Sequence, residues 1–166
     1  MATANRPAEG HTTTFTTPSD VEIVATRVFD APRQLVWDVH TRPEHVSQWM
    51  LGPDGWSMPV CEMDLRPGGR WRWVWQKNGG GETMEMTGEF REVSPPERLV
   101  NTEAWGGDYP ETLNTTVFTE EDGRTRVTCT VLYPSKEARD RAMKTGMEDG
   151  WAHSYTRLDE YLPKIM

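Results

Sequence analysis

Cysteine is scarce in this chain, with Cys61 and Cys129 the only two, and no CxxC pair exists. Each sits in a separate strand-like run with apolar neighbours. That pattern predicts two small buried hydrophobes in a reducing compartment, not a disulfide framework or a structural zinc site. The four histidines, His11, His40, His45 and His153, have no metal-ligand spacing, so neither a metal nor any other cofactor is expected. No apolar run is long enough to span a bilayer. The first residues lack the basic and apolar regions of a signal peptide, which makes the cytoplasm the expected location. Positive charge is also short: 18 Lys and Arg face 26 Asp and Glu, for a net charge of −8. Such a surface repels phosphate backbones and anionic lipid, so neither nucleic acid nor a membrane is an expected partner. There is no nucleophile elbow, and the glycine-rich segments read as hairpin turns.

What remains is globular in kind. A hydrophobic fraction of 36% and a charged fraction of 27% over 166 residues suit one domain able to bury a core without staples. Residues 1–20, rich in Thr, Ala and Pro, show no periodicity and are expected to form a flexible tail whose removal leaves stability nearly unchanged. Residues 21–166 are expected to form a single domain. Eight tryptophans and nine methionines are many for this length. Trp supplies large area and Met an adaptable outline, a combination suited to cores and to permissive pockets.

Residues 21–29 are β-branched and loosely alternating, as in a strand. Asp30-Ala-Pro-Arg predicts an N-cap and a helix-starting proline. Thr41-Arg-Pro-Glu starts a second short helix that ends near Trp49. Between residues 60 and 132 the pattern predicts six strands. Trp71, Trp73 and Trp75 alternate with Arg72 and Val74, while Met84, Met86, Gly88 and Phe90 alternate with Glu85, Thr87, Glu89 and Arg91. No helical pattern interrupts this stretch, so hairpins join the strands and the sheet must be antiparallel. Ser135 then caps a long last helix. Its apolar stripe is Met143, Met147, Trp151, Tyr155, Leu158 and Leu162, with Lys144, Glu148, Asp149, Arg157, Asp159 and Glu160 on its other faces and Pro163 as its stop. Gly146 and Gly150 lie beside the stripe, where each is costly in a helix and implies close approach of a sheet or ligand. An inward sheet face needs a cover, and only this helix is long enough.

The order strand, two short helices, six strands and long helix resembles the START-like, Bet v 1-like (SRPBCC) superfamily. Within it the chain is similar to the Hsp90 ATPase activator homologue (AHSA1-like) family. The resemblance rests on Phe29-Asp-Ala-Pro-Arg-Gln-Leu-Val-Trp37, Pro43-Glu-His-Val-Ser-Gln-Trp49, Asp64-Leu-Arg-Pro-Gly-Gly-Arg-Trp-Arg-Trp73, Gly88-Glu-Phe-Arg-Glu-Val-Ser-Pro-Pro-Glu-Arg-Leu99 and Gly146-Met-Glu-Asp-Gly-Trp151. It covers residues 21–162. It implies an α+β helix-grip fold, in which a curved seven-stranded antiparallel sheet surrounds the C-terminal helix with a cavity between them. Relatives range over lipid carriers, polyketide cyclases, hormone receptors and resistance proteins, so fold alone does not choose a function.

The residues expected to line the pocket are Trp71, Trp73, Met84, Met86, Phe90, Met147 and Trp151. Strand alternation puts the first five on one sheet face and helical spacing puts the last two on one helix face. The functional expectation is non-catalytic binding of a small hydrophobic molecule, whether aromatic, lipid-like or polyketide-like. The alternatives are a chaperone-interaction module related to Hsp90 ATPase activators and, more weakly, a cyclase-like enzyme. No catalytic residue is assigned. Asp149 and His153 lie one helical turn apart, but Ser154 points elsewhere. Arg70 and Arg72 read as a solvated outer face paired with Glu85 and Glu89, or alternatively as an anchor for a ligand carboxylate at the pocket mouth. Gly106, Gly107 and Asp108, which follow Trp105, read as a turn or as a gating loop.

Overall fold

The computed structural model describes residues 12–166. Its elements are β1 (Thr14–Thr16), β2 (Glu22–Phe29), α1 (Arg33–Thr41), α2 (Pro43–Trp49), β3 (Trp56–Met63), β4 (Arg70–Lys77), β5 (Thr83–Ser94), β6 (Arg98–Glu103), β7 (Thr112–Glu121), β8 (Arg124–Leu132), α3 (Lys136–Met143) and α4 (Met147–Ile165). The fold is α+β. One curved antiparallel sheet runs in the order β1-β2-β8-β7-β6-β5-β4-β3, and its concave face receives α4. From β3 to β8 every sheet neighbour is also a sequence neighbour, as hairpin connections require.

The sheet has eight strands, not seven. The extra strand, β1, falls inside the segment expected to be tail. It pairs with the open edge of β2, Thr14 opposite Thr26 and Thr16 opposite Val24. Phe15 holds it down, meeting the Trp151 ring edge-on at 5.7 Å. Residues 1–11 of the expected tail lie outside the described residues.

The last helix is also corrected. Ser135 is its N-cap, accepting a hydrogen bond from the Ala138 amide at 3.1 Å. The helix then breaks after Met143 and restarts at Met147. Gly146 makes the joint at φ 82°, a left-handed conformation that costs glycine nothing. Met143 therefore leaves the buried stripe and is 38% exposed, whereas Tyr155, Leu158 and Leu162 are buried. Pro163 lies inside α4 and does not stop it. At the other end of the chain Pro32, not Asp30, occupies the N-cap position of α1, and Asp30 pairs with Arg124 at 2.9 Å.

The main core joins α1, α2 and α4 to the sheet through Phe29, Val36, Trp37, Trp49, Phe118 and Leu158. The two short helices thus share with α4 the task of covering the inner face. A smaller cluster of Ile23, Cys129, Val131 and Tyr133 packs with Phe15, Met147 and Trp151. Arg27, 2% exposed, points from β2 to an ion pair with Asp159 of α4, a residue expected on a solvent face. Pro59 is tolerated in β3 because that strand is an edge and its register slips between Ser57 and Val60. Among the described residues no helix is long and apolar enough to cross a membrane.

Candidate functional site

The inner sheet face and α4 do not close on each other. They leave a cavity of about 770 Å³. Its aromatic wall is β4. Trp71 and Trp73 lie with ring centroids 4.7 Å apart, Trp73 and Trp75 at 6.0 Å, and Trp75 stacks on Trp105 at 5.5 Å with an interplanar angle of 15°. Four indoles thus run in a row from the interior to the mouth, where Trp105 is 44% exposed.

Register explains the neighbouring wall. Trp71 stands opposite Gly88, Trp73 opposite Met86 and Trp75 opposite Met84. At Gly88 a Cβ would overlap both the Thr102 carbonyl oxygen and the Trp71 indole nitrogen, so only glycine lets this ring lie down on the sheet. All seven residues expected from sequence reach the cavity: Trp71, Trp73, Met84, Met86 and Phe90 from the sheet, Met147 and Trp151 from α4. Met84 does so at the mouth, 42% exposed.

The loop after α2 closes another side. Ser154 accepts a hydrogen bond from the Gly52 amide at 2.8 Å. Arg157 donates to the carbonyls of Trp49 and Gly52 at 3.1 and 3.0 Å. Pro53 lies 3.7 Å from where a Gly150 Cβ would be, an ordinary packing distance, so the close approach expected at this glycine is absent.

Sequence reasoning missed a polar end to the cavity. On β6 the residues Leu99, Asn101 and Glu103 face inward, and on β7 so do Thr112, Asn114, Thr116 and Phe118. Thr112 donates to Asn114 Oδ1 at 3.0 Å, which orients the amide so that its Nδ2 donates to Glu103 at 2.8 Å. Trp105 Nε1 donates to the other Glu103 oxygen at 3.3 Å. Burial raises the Glu103 carboxyl to about 7 against these two hydrogen bonds, which favour its ionised form. The signal was parity: counting back from Phe118 in steps of two reaches the three polar side chains of β7 that line the cavity.

His40 also lines the cavity. Its Nδ1 lies 2.7 Å from the Val36 carbonyl, so Nδ1 carries the proton and donates. Burial lowers its pKa to about 4, leaving a neutral ring at pH 7. Burial likewise pushes the thiols up, Cys61 to about 11 and Cys129 to about 12, and deprives them of nucleophilic character. Cys129 is buried as expected and Cys61 only half-buried.

The remaining candidates do not assemble into a site. His153 is exposed and its Nδ1 contacts the Asp149 carbonyl at 2.7 Å, not the carboxylate. Ser154 lines the cavity but is not joined to His153: its hydroxyl accepts from the Gly52 amide. Arg72 lies on the outer face, with Glu85 at 2.6 Å and Glu62 at 4.0 Å. Arg70 is exposed opposite Glu89. Neither arginine lines the cavity, although Glu85, the partner of Arg72, does.

Among solved structures, a protein from Rhodobacter sphaeroides shares this fold at 28% identity and TM-score 0.85, over 93% of this chain and 99% of that one. A protein from Nitrosomonas europaea matches at 27% identity and TM-score 0.78, over 89% and 97%. An AHSA1-like protein from Aeromonas hydrophila, at 21% identity and TM-score 0.63 over 79% and 90%, bears on the fold alone. No curated protein matches the chain. A family model described as Activator of Hsp90 ATPase homolog 1-like protein matches residues 30–163, from the end of β2 through α4. With most of its length so matched and a Bet v 1-like fold around the cavity, the chain belongs to the Activator of Hsp90 ATPase homolog 1-like family.

Proposed function

We propose that the protein binds a small hydrophobic, aromatic-bodied molecule in the cavity between sheet and α4, and holds it without transforming it. The observation that carries this reading is the cavity itself, about 770 Å³ and walled by a row of indoles facing methionines. That volume falls in the range of small-molecule sites, roughly 300–1,000 Å³. A flat aromatic ligand gains ring stacking from the indoles. Met86 and Met147 adapt to its outline, so affinity tolerates changes of ligand shape. The raised thiol pKa values and the neutral His40 give the cavity no ready nucleophile.

The test is a panel of polycyclic aromatics scored by melting temperature and tryptophan emission. A bound ligand stabilises the native state by mass action and quenches indoles that it stacks on. Trp151→Ala should weaken binding about tenfold, the loss of one aromatic contact and its buried area, while the protein still unfolds cooperatively. A panel giving neither thermal shift nor emission change would sink the reading. Stimulation of a purified Hsp90 ATPase would then favour the chaperone role that the family's description names.

A further inference from the structure

We propose that the ligand carries a cationic, hydrogen-bond-donating head group, a protonated amine on a polycyclic aromatic body, and that this head docks on the Glu103 carboxylate where β6 and β7 form one end of the cavity. This rests on the cavity-binding reading and names the chemical class that reading leaves open.

The sheet divides the cavity by polarity. Across β6 and β7 the inward positions run from Leu99 and Phe118 at one end to Glu103 and Thr112, register partners, at the other. A ligand with an apolar body and one polar head matches that gradient in a single orientation. The polar end is also built, because the hydrogen bond from Thr112 fixes the Asn114 amide and the amide fixes Glu103. Both donors to Glu103, Asn114 Nδ2 and Trp105 Nε1, are neutral. A carboxylate offers about four acceptor sites, so capacity remains for a ligand.

Charge then decides the class. Among the described residues no Lys or Arg lines the cavity. The guanidiniums that touch lining residues already have partners. Arg72 pairs with Glu85. Arg141 stacks over Tyr109 at 4.2 Å and donates to the Asp108 carbonyl at 3.2 Å. Arg157 holds the Trp49 and Gly52 carbonyls and Asp54. His40 spends its one proton on the Val36 carbonyl. An anionic head would meet Glu103 with no counter-charge, whereas an ammonium would meet a carboxylate. A purely structural Glu103 is the weaker account. Gln would accept the same hydrogen bond from Asn114 without the cost of burying an ionisable group, and neither contact of Glu103 accepts a proton from it.

The experiment uses three probes on one ring system: 9-(aminomethyl)anthracene, 9-anthracenemethanol and 9-anthracenecarboxylate. Dissociation constants come from quenching of tryptophan emission at pH 7.5. The amine should bind at least about tenfold more tightly than the carboxylate, the worth of one charge-assisted hydrogen bond, with the alcohol between them. Glu103→Gln should collapse that order while holding the alcohol within about twofold, since a neutral head loses little. Binding of the carboxylate as tight as the amine in the wild-type protein would overturn the proposal whether or not the variant folds. An unchanged order in Glu103→Gln would overturn it as well. If all three bind without order, only the head-group assignment falls; if none binds, the cavity-binding reading falls with it.

Discussion

Glu103 and His40 line one cavity and titrate with opposite consequences. Folding raises the Glu103 carboxyl from 4.5 to about 7. Between those values the folded chain holds a proton that the unfolded chain has released. Its contribution to stability is therefore full below pH 4.5 and is lost as pH rises through about 7. Folding lowers His40 from 6.5 to about 4. There the unfolded chain holds the extra proton, so this contribution is full above pH 6.5 and is lost as pH falls through about 4. Between pH 4.5 and 6.5 the two oppose each other and flatten the profile. Glu103→Gln removes only the first. The variant's melting temperature should climb relative to wild type as pH rises from 4.5 to 8; a difference constant over that range would show that Glu103 does not titrate across it. Both residues were hard to read as a pair from sequence. The five sheet residues of the cavity named from alternation were legible because each strand advertises its inward parity with Trp, Met or Phe, and Met147 and Trp151 were legible from helical spacing. Glu103 and Asn114 occupy that parity with polar side chains, which alternation alone assigns to water.

Elements were legible where periodicity had length to express itself. The twelve residues of β5 and the ten of β7 carry several alternations each. The three residues of β1 carry one, and what makes them a strand is the unpaired edge of β2. The C-terminal stripe misled for the opposite reason. Spacings of four across Gly146 look continuous, but hydrophobic periodicity does not sense a left-handed φ. The corrected β1 changes the outcome expected of truncation. Deleting residues 1–18 removes the β1 ladder, the 3.0 Å bond from Arg27 to Thr13 and the Phe15–Trp151 contact. At about 2 kcal/mol for one aromatic pair and its cross-strand neighbours, the melting temperature should fall by roughly 4–8 °C for a domain of this size. The bared β2 edge should also promote self-association, visible by light scattering. An unchanged melting temperature would mean that β1 contributes nothing to stability.

At the scale of the whole molecule, the cavity raises the question of what keeps α4 on the sheet when part of their interface is empty. Apolar burial of Leu158 and Leu162 supplies most of the answer. The Arg27–Asp159 pair adds a polar tie, and it joins residues 132 positions apart. No sequence pattern links them: Arg27 sits in a β-branched strand and Asp159 among the charged residues of a helix face. Arg27 is 2% exposed, and the Asp159 side chain keeps 18%. Removing the acid leaves a guanidinium buried without its counter-ion, a change that costs about 3–5 kcal/mol in well-buried pairs. The partial exposure of Asp159 places the expected cost of Asp159→Ala near the lower end, about 3 kcal/mol, measured by urea unfolding. Replacing both partners, as in Arg27→Met with Asp159→Leu, removes the stranded charge and should recover most of that loss. If the single variant unfolds at the wild-type urea midpoint, the pair is not part of what clamps the helix. If the double variant is as unstable as the single one, the loss comes from Arg27's packing over Phe29 and its bond to Thr13, and the tie between the two layers is mechanical, not electrostatic.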